Sequence, residues 1–141
     1  MTRRSWAWAA ALLLVLAALA AWQWGGPAAR ARGEALFDGR AAMPARLVGH
    51  EADLPSMATR CANCHEAGPR SGANAPRLDA ATLARPHVRR GGPASAYDAR
   101  ALCAVLRDGT DPAHVIIATT MPRYAATDAQ CADLWAWIAA R

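Results

Sequence analysis

Cys61-Ala62-Asn63-Cys64-His65 sets two thiols three positions apart and an imidazole directly after the second. On one helical turn each thiol can add across a vinyl group of a porphyrin, and the imidazole then lies beneath the iron as its proximal ligand. Five residues thus supply two covalent tethers and an axial bond, the chemistry of a covalently attached haem. A zinc half-site or a thioredoxin-like redox pair has no need of a histidine at that position. The competing structural explanation is a buried or oxidised cysteine pair beside an ordinary histidine.

Three further stretches follow the motif in order: Ala75-Pro76-Arg77-Leu78, Met121-Pro122, and the closing Leu134-Trp135-Ala136-Trp137-Ile138. With them the chain, from roughly Leu54 to Ile138, resembles the class I c-type cytochromes, the small one-haem electron carriers that include mitochondrial cytochrome c. The resemblance implies an all-α, small cytochrome c fold with three to five helices and long loops wrapped around one covalent haem c, attached through Cys61 and Cys64 with His65 on the iron. Pro76 stands close to where the family has a proline whose carbonyl accepts a bond from the proximal histidine. Such a bond fixes the imidazole tautomer and makes it a better donor. Met121 matches the family's distal ligand, since it precedes a proline in a loop leading to the last helix. Its thioether is a soft donor that suits both oxidation states of iron. His114 is the alternative distal ligand, and an open distal position is another. His50 and Met43 qualify as ligands by chemistry alone and are better read as a loop residue and a core methionine. His87 is read as a surface residue.

The elements that must position these groups follow from apolar spacing and caps. Leu54, Met57, Ala58 and Cys61 recur at helical spacing behind Pro55, which predicts a helix delivering the motif. Glu66 to Ala75 reads as loop, and Ala80 to Ala84 as a short helical turn stopped before Pro86. Asp98, the apolar residues Leu102, Val105 and Leu106, and Gly109 predict a helix with a defined start and stop. Thr127 with Gln130 fits a capping box for a terminal helix. Cys103 and Cys131 fall in these two helices, and in an oxidising compartment a disulfide between them is expected over two buried thiols. Arg77, Arg89 or Arg90 could neutralise a haem propionate. Gly33, Leu36 and Phe37 resemble a piece that in the family runs straight into the haem motif, yet here more than twenty residues intervene. An added wrap over 26–53 is implied, with Gly25 to Ala29 as a flexible connector.

Residues 1–25 carry an address. Arg3 and Arg4 precede an apolar run from Trp6 to about Trp24 that contains no charge. A helix of about 20 residues spans roughly 30 Å, the hydrocarbon thickness of a bilayer. This predicts one transmembrane helix with its amino terminus in the cytoplasm and the haem domain on the periplasmic side. A cleaved signal peptide, with small residues at Ala18-Leu19-Ala20, is the alternative, and would leave a periplasmic protein. Either compartment permits disulfides.

One domain, residues 54–141, is expected behind that segment, since 141 residues leave room for a single core. The formal charge of +5 falls close to neutral once Arg3, Arg4 and two haem propionates are counted, so nucleic-acid binding gains no support. No serine–histidine–aspartate order, phosphate-cradling glycine loop or carboxylate cluster suggests an enzyme or a small-molecule substrate. The expected function is a membrane-tethered one-electron carrier working between redox protein partners. Two competing functions are a haem enzyme or gas-binding module with an open distal site, and an accessory cytochrome subunit of a larger oxidoreductase.

Overall fold

A computed structural model of the chain describes residues 26–66 and 75–141, together with Trp8 and Leu13. The apolar run, apart from Trp8 and Leu13, and the amino-terminal arginines therefore lie outside the described residues, as does nearly all of the loop expected over Glu66 to Ala75. Among the described residues no helix is long and apolar enough to cross a membrane.

The regular structure is mostly helical. Helix α1 covers 26–37, α2 Ala62–His65, α3 Ala80–Leu83, α4 Ala99–Asp108 and α5 Asp128–Ile138. Two strands of two residues each, β1 (Ala45–Arg46) and β2 (Arg123–Tyr124), pair antiparallel. The expected connector at Gly26 to Ala29 is instead helical, continuous with the segment bearing Leu36 and Phe37. Proline suits a first helical turn, and the second half of α1 lies directly against α5.

Gly33 is the point of closest approach. A Cβ placed there would overlap the Asp133 carbonyl and sit 2.8 Å from the Trp137 Cβ. One helical turn on, the Phe37 and Trp137 rings meet with centroids 4.3 Å apart, and the Arg141 guanidinium caps the Trp137 ring at 4.1 Å. An aromatic pair of this kind adds about 0.5–1.5 kcal/mol beyond the area it buries. Arg32 donates both Nε and a terminal nitrogen to the Asp133 carboxylate, at 2.6 and 2.8 Å. The fork geometry fixes helix register more than it adds stability, since Arg32 is exposed.

Helix α4 is bounded as its sequence requires. The Asp98 carboxylate accepts from Ala101 N at 2.7 Å, and Gly109 closes the helix in the left-handed region at φ 72°. Leu102, Cys103, Val105 and Leu106 face the core. Helix α5 begins with a complete capping box, Thr127 and Gln130 exchanging side-chain bonds to backbone. Cys103 and Cys131 are joined by a disulfide, with Cα atoms 5.3 Å apart. A bridge across 28 residues of sequence removes unfolded-state freedom worth about 2–4 kcal/mol.

The helix expected ahead of the motif does not form. Residues 54–60 make turns, and Met57 is 70% exposed. Leu54 N donates to the Ala45 carbonyl at 2.8 Å, and the only coiling is the single turn closed by Ala58 N to Pro55 O at 2.8 Å. Only α2, four residues long, carries the thiols and the imidazole. Met43 lies in the core at 5% exposure and His50 is exposed.

Gly33→Leu should separate α1 from α5. The expected loss is about 1–3 kcal/mol from overpacking, only partly offset by roughly 1 kcal/mol of helix propensity gained, and a lower urea midpoint of the full chain at unchanged slope would register it.

Candidate functional site

Cys61, Cys64 and His65 lie on a single turn. Cys61 is buried and Cys64 exposed, and neither is bridged. Burial pushes the Cys61 thiol up to about 11, so the free thiol is protonated at neutral pH. Among the described residues no group of three or more His, Cys, Asp and Glu side chains converges in the way a metal cage needs.

The imidazole is oriented from its far side. His65 Nδ1 lies 2.7 Å from the Pro76 carbonyl oxygen, eleven residues on. A carbonyl oxygen can only accept, so Nδ1 carries the proton and Nε2 keeps its lone pair. Burial lowers the imidazole pKa, and the bond to Pro76 opposes part of that shift. At neutral pH the ring is therefore a neutral, single-tautomer donor with Nε2 available, the state a metal ligand requires.

Further bonds hold the turn and the residues that lead into it. Asn63 Nδ2 donates to Met57 O at 2.9 Å, and Thr59 Oγ1 to Ser56 O at 3.0 Å. The Tyr124 hydroxyl donates to Thr59 O at 2.9 Å in a buried contact. Tyr124 comes three residues after Met121, so this bond joins the methionine segment to the CANCH segment. Met121 itself is half-buried and packs on the core. Its carbonyl accepts from an Arg123 terminal nitrogen at 2.6 Å, and its N–H donates to Ala118 O at 3.2 Å.

The sequence model of the Cytochrome c family matches residues 55–141, more than half of the chain. The chain belongs to the cytochrome c family. No curated protein and no solved structure matches it. Membership brings covalently bound haem c as the cofactor, and haem-based electron transfer as the activity associated with the family. The residues present fit that group: two unbridged cysteines three positions apart, followed by a histidine whose Nδ1–H is bonded to the Pro76 carbonyl, which leaves the lone pair on Nε2.

The other residues singled out in the sequence have their own partners. His87 is exposed and its Nε2 lies 3.1 Å from Ala81 O. His114 sits in a turn at φ 61°. Arg89 donates to the carbonyls of Ser95 and Thr82 and lies over the Tyr97 ring at 5.3 Å. Arg77 pairs with Asp79 at 3.4 Å across exposed surface. Arg90 reaches the buried Asp111 carboxylate at 3.4 Å. These arginines brace their own loops. Sequence reasoning passed over Tyr124 and Thr59, and their one available signal was an aromatic hydroxyl close after Met121-Pro122.

Both tyrosines of the chain, Tyr97 and Tyr124, have phenols raised above the ordinary value, in each case chiefly by burial. A raised phenol keeps its proton in the folded state after the unfolded chain has lost it. The stability this contributes is fully present below the unfolded pKa of about 10 and falls as the pH climbs past it. Absorbance near the tyrosinate band should accordingly show no phenol ionising at the ordinary pKa in the native protein, and the denaturant midpoint should drop above about pH 10.

Proposed function

We propose that this cytochrome c family member is a class I, single-haem electron carrier whose iron is held by His65 and Met121. Cys61 and Cys64 would form the two thioether tethers, and Pro76 would orient His65 through its carbonyl. When bound, haem c supplies a one-electron couple at the iron. The chain's own residues hold that couple steady. His65, neutral and fixed in one tautomer, offers Nε2 without losing or gaining a proton, so electron transfer is not coupled to imidazole titration. Met121 offers a sulfur that tolerates both oxidation states. With both axial positions filled by side chains, no site is left for a substrate to bind at the metal, and partners exchange electrons at the protein surface.

The single observation that carries this reading is the 2.7 Å bond between His65 Nδ1 and the Pro76 carbonyl within the stretch that matches the family. A cysteine pair that was merely structural would have no need of an adjacent histidine fixed in one tautomer.

Residues 1–25 would tether the domain to the cytoplasmic membrane, amino terminus inside, with residues 54–141 facing the periplasm. Support comes from the uncharged apolar run behind Arg3 and Arg4 and from the Cys103–Cys131 disulfide, which suits an oxidising compartment. The partners are redox proteins that meet the domain there.

Protein from a host able to mature c-type haem should keep its colour after acidic acetone, and the oxidised form should show a weak far-red sulfur-to-iron band. Met121→Ala should abolish that band and let the reduced protein bind carbon monoxide stoichiometrically, while Cys64→Ala should leave at most one tether. Stoichiometric carbon monoxide binding by the unaltered protein would overturn His65/Met121 ligation. Intact mass from detergent extracts tests the tether, since a species lacking the first twenty or so residues would remove it.

A further inference from the structure

Residues 38–54 precede the stretch that matches the family, and nothing in haem attachment calls for them. The structure gives them a partner. Ala45 lies opposite Tyr124 and Arg46 opposite Arg123 in the antiparallel pair, and β2 starts two residues after Met121. The contact continues beyond the Ala45–Tyr124 end: Ala125 N donates to Pro44 O at 2.8 Å, and Gln130 Nε2 donates to Ala42 O at 3.3 Å. Leu54 N holds the returning chain to Ala45 O at 2.8 Å.

Tyr124 faces the other way as well. Its backbone belongs to this ladder, while its side chain is buried and its hydroxyl donates to Thr59 O, two residues before Cys61. One residue therefore touches three segments: the added wrap, the methionine loop and the haem-attachment turn. For Met121 to swing away from the core, the two-residue ladder must open, the buried Tyr124–Thr59 bond must break, or the chain between them must stretch.

We infer that Tyr124, clamped from outside by Pro44 to Arg46, is a positioning residue for the distal ligand. It fixes how far the methionine loop stands from the CANCH turn, and so resists displacement of the sulfur from iron. This rests on Met121 being the distal ligand. The wrap is then a strap on the ligand loop, and its effect is read as resistance to an outside ligand competing for the same coordination position.

Imidazole is the probe. The oxidised, haem-loaded full chain is titrated with it while the far-red band is followed, in the unaltered protein and in Tyr124→Phe, Arg46→Pro and Ile138→Val. Tyr124→Phe removes only the hydroxyl. It should tighten imidazole binding by about threefold to tenfold, the factor that one buried hydrogen bond carries. Arg46→Pro removes a strand N–H and should act in the same direction. Ile138→Val lowers stability by trimming a buried side chain in α5, outside both strands, and should leave imidazole affinity unchanged. Where Arg46→Pro does not fold, Tyr124→Phe decides alone. Tyr124→Phe binding imidazole as the unaltered protein does would overturn the strap while leaving Met121 ligation standing. Ile138→Val tightening it in step with its lost stability would overturn the strap too, since the effect would then be global. An unaltered protein without the far-red band, binding carbon monoxide when reduced, would remove Met121 ligation and the strap together.

Discussion

A four-residue helix cannot hold itself in place. Nucleating a helical turn fixes several dihedrals for a single hydrogen bond, so so short a piece has almost no stability of its own, and α2 lacks even a side-chain cap at Cys61. Cys61 at its N-cap and Cys64 and His65 within it nevertheless have to keep their relative places for covalent haem attachment. Position must come from outside. It arrives by three separate bonds: Asn63 to the preceding turn, Tyr124 to Thr59, and His65 to Pro76. Each is worth about 0.5–1.5 kcal/mol net. Their importance lies in direction, because they approach the turn from three different parts of the chain and leave it little room to tilt.

Those bonds are useful only if their far ends are themselves fixed, which is the task of the α1, α4 and α5 frame. Gly33 lets α1 approach α5 closely enough for Phe37 to meet Trp137, and the Cys103–Cys131 bridge locks α4 to α5. The segment 109–127, which carries Met121, is strung between the two bridged helices. It has Gly109 as the cap of α4 at one end and the Thr127 capping box of α5 at the other. Arg107 adds a brace across its exit, donating to Ala126 O at 2.8 Å and to Asp128 at 2.7 Å. The frame thus fixes the ends of the methionine loop, and the β1–β2 pair holds it just after Met121.

What the sequence disclosed and what it hid divide along range of interaction. The CANCH turn, the Asp98 and Gly109 ends of α4 and the Thr127 box are local chemistry, written within four or five residues of where they act. The relation between His65 and Pro76 was legible because a known spacing stood in for the fold. The helix expected over Leu54 to Cys61 failed because apolar spacing reports only what a segment could bury. There, Leu54 is drawn to Ala45 and Met57 is left in solvent. Helix α1 was underestimated for the opposite reason, since glycine and proline at 26 and 27 signal a linker, whereas proline also suits a first helical turn and the packing on α5 that holds the helix starts further along, at Arg32 and Gly33. Two-residue strands carry no period at all. The β1–β2 pairing and the Tyr124–Thr59 bond were therefore invisible, and with them the use of residues 38–54.

The register of that small ladder sets Arg46 opposite Arg123, a like-charge pair that ordinarily weakens a sheet. The two side chains resolve it by leaving in different directions. Arg46 turns to Asp53 at 3.4 Å across exposed surface, whereas Arg123 folds inward and donates to the Met121 carbonyl. The inward path exists because residue 109 has no side chain: a Cβ there would collide with the Arg123 guanidinium. Gly109 accordingly meets two demands at once, the left-handed backbone that ends α4 and the space through which Arg123 reaches the Met121 carbonyl. Further back, the buried Asp111 carboxylate accepts from Ala113 N and Val115 N, both at 2.9 Å, and shapes the turn that precedes the methionine. A regular helix or strand would dictate where the Met121 side chain points by its period. An irregular segment leaves that direction free to be set by side chains bonded to backbone, which is why so many polar groups converge on a loop that contains so little secondary structure.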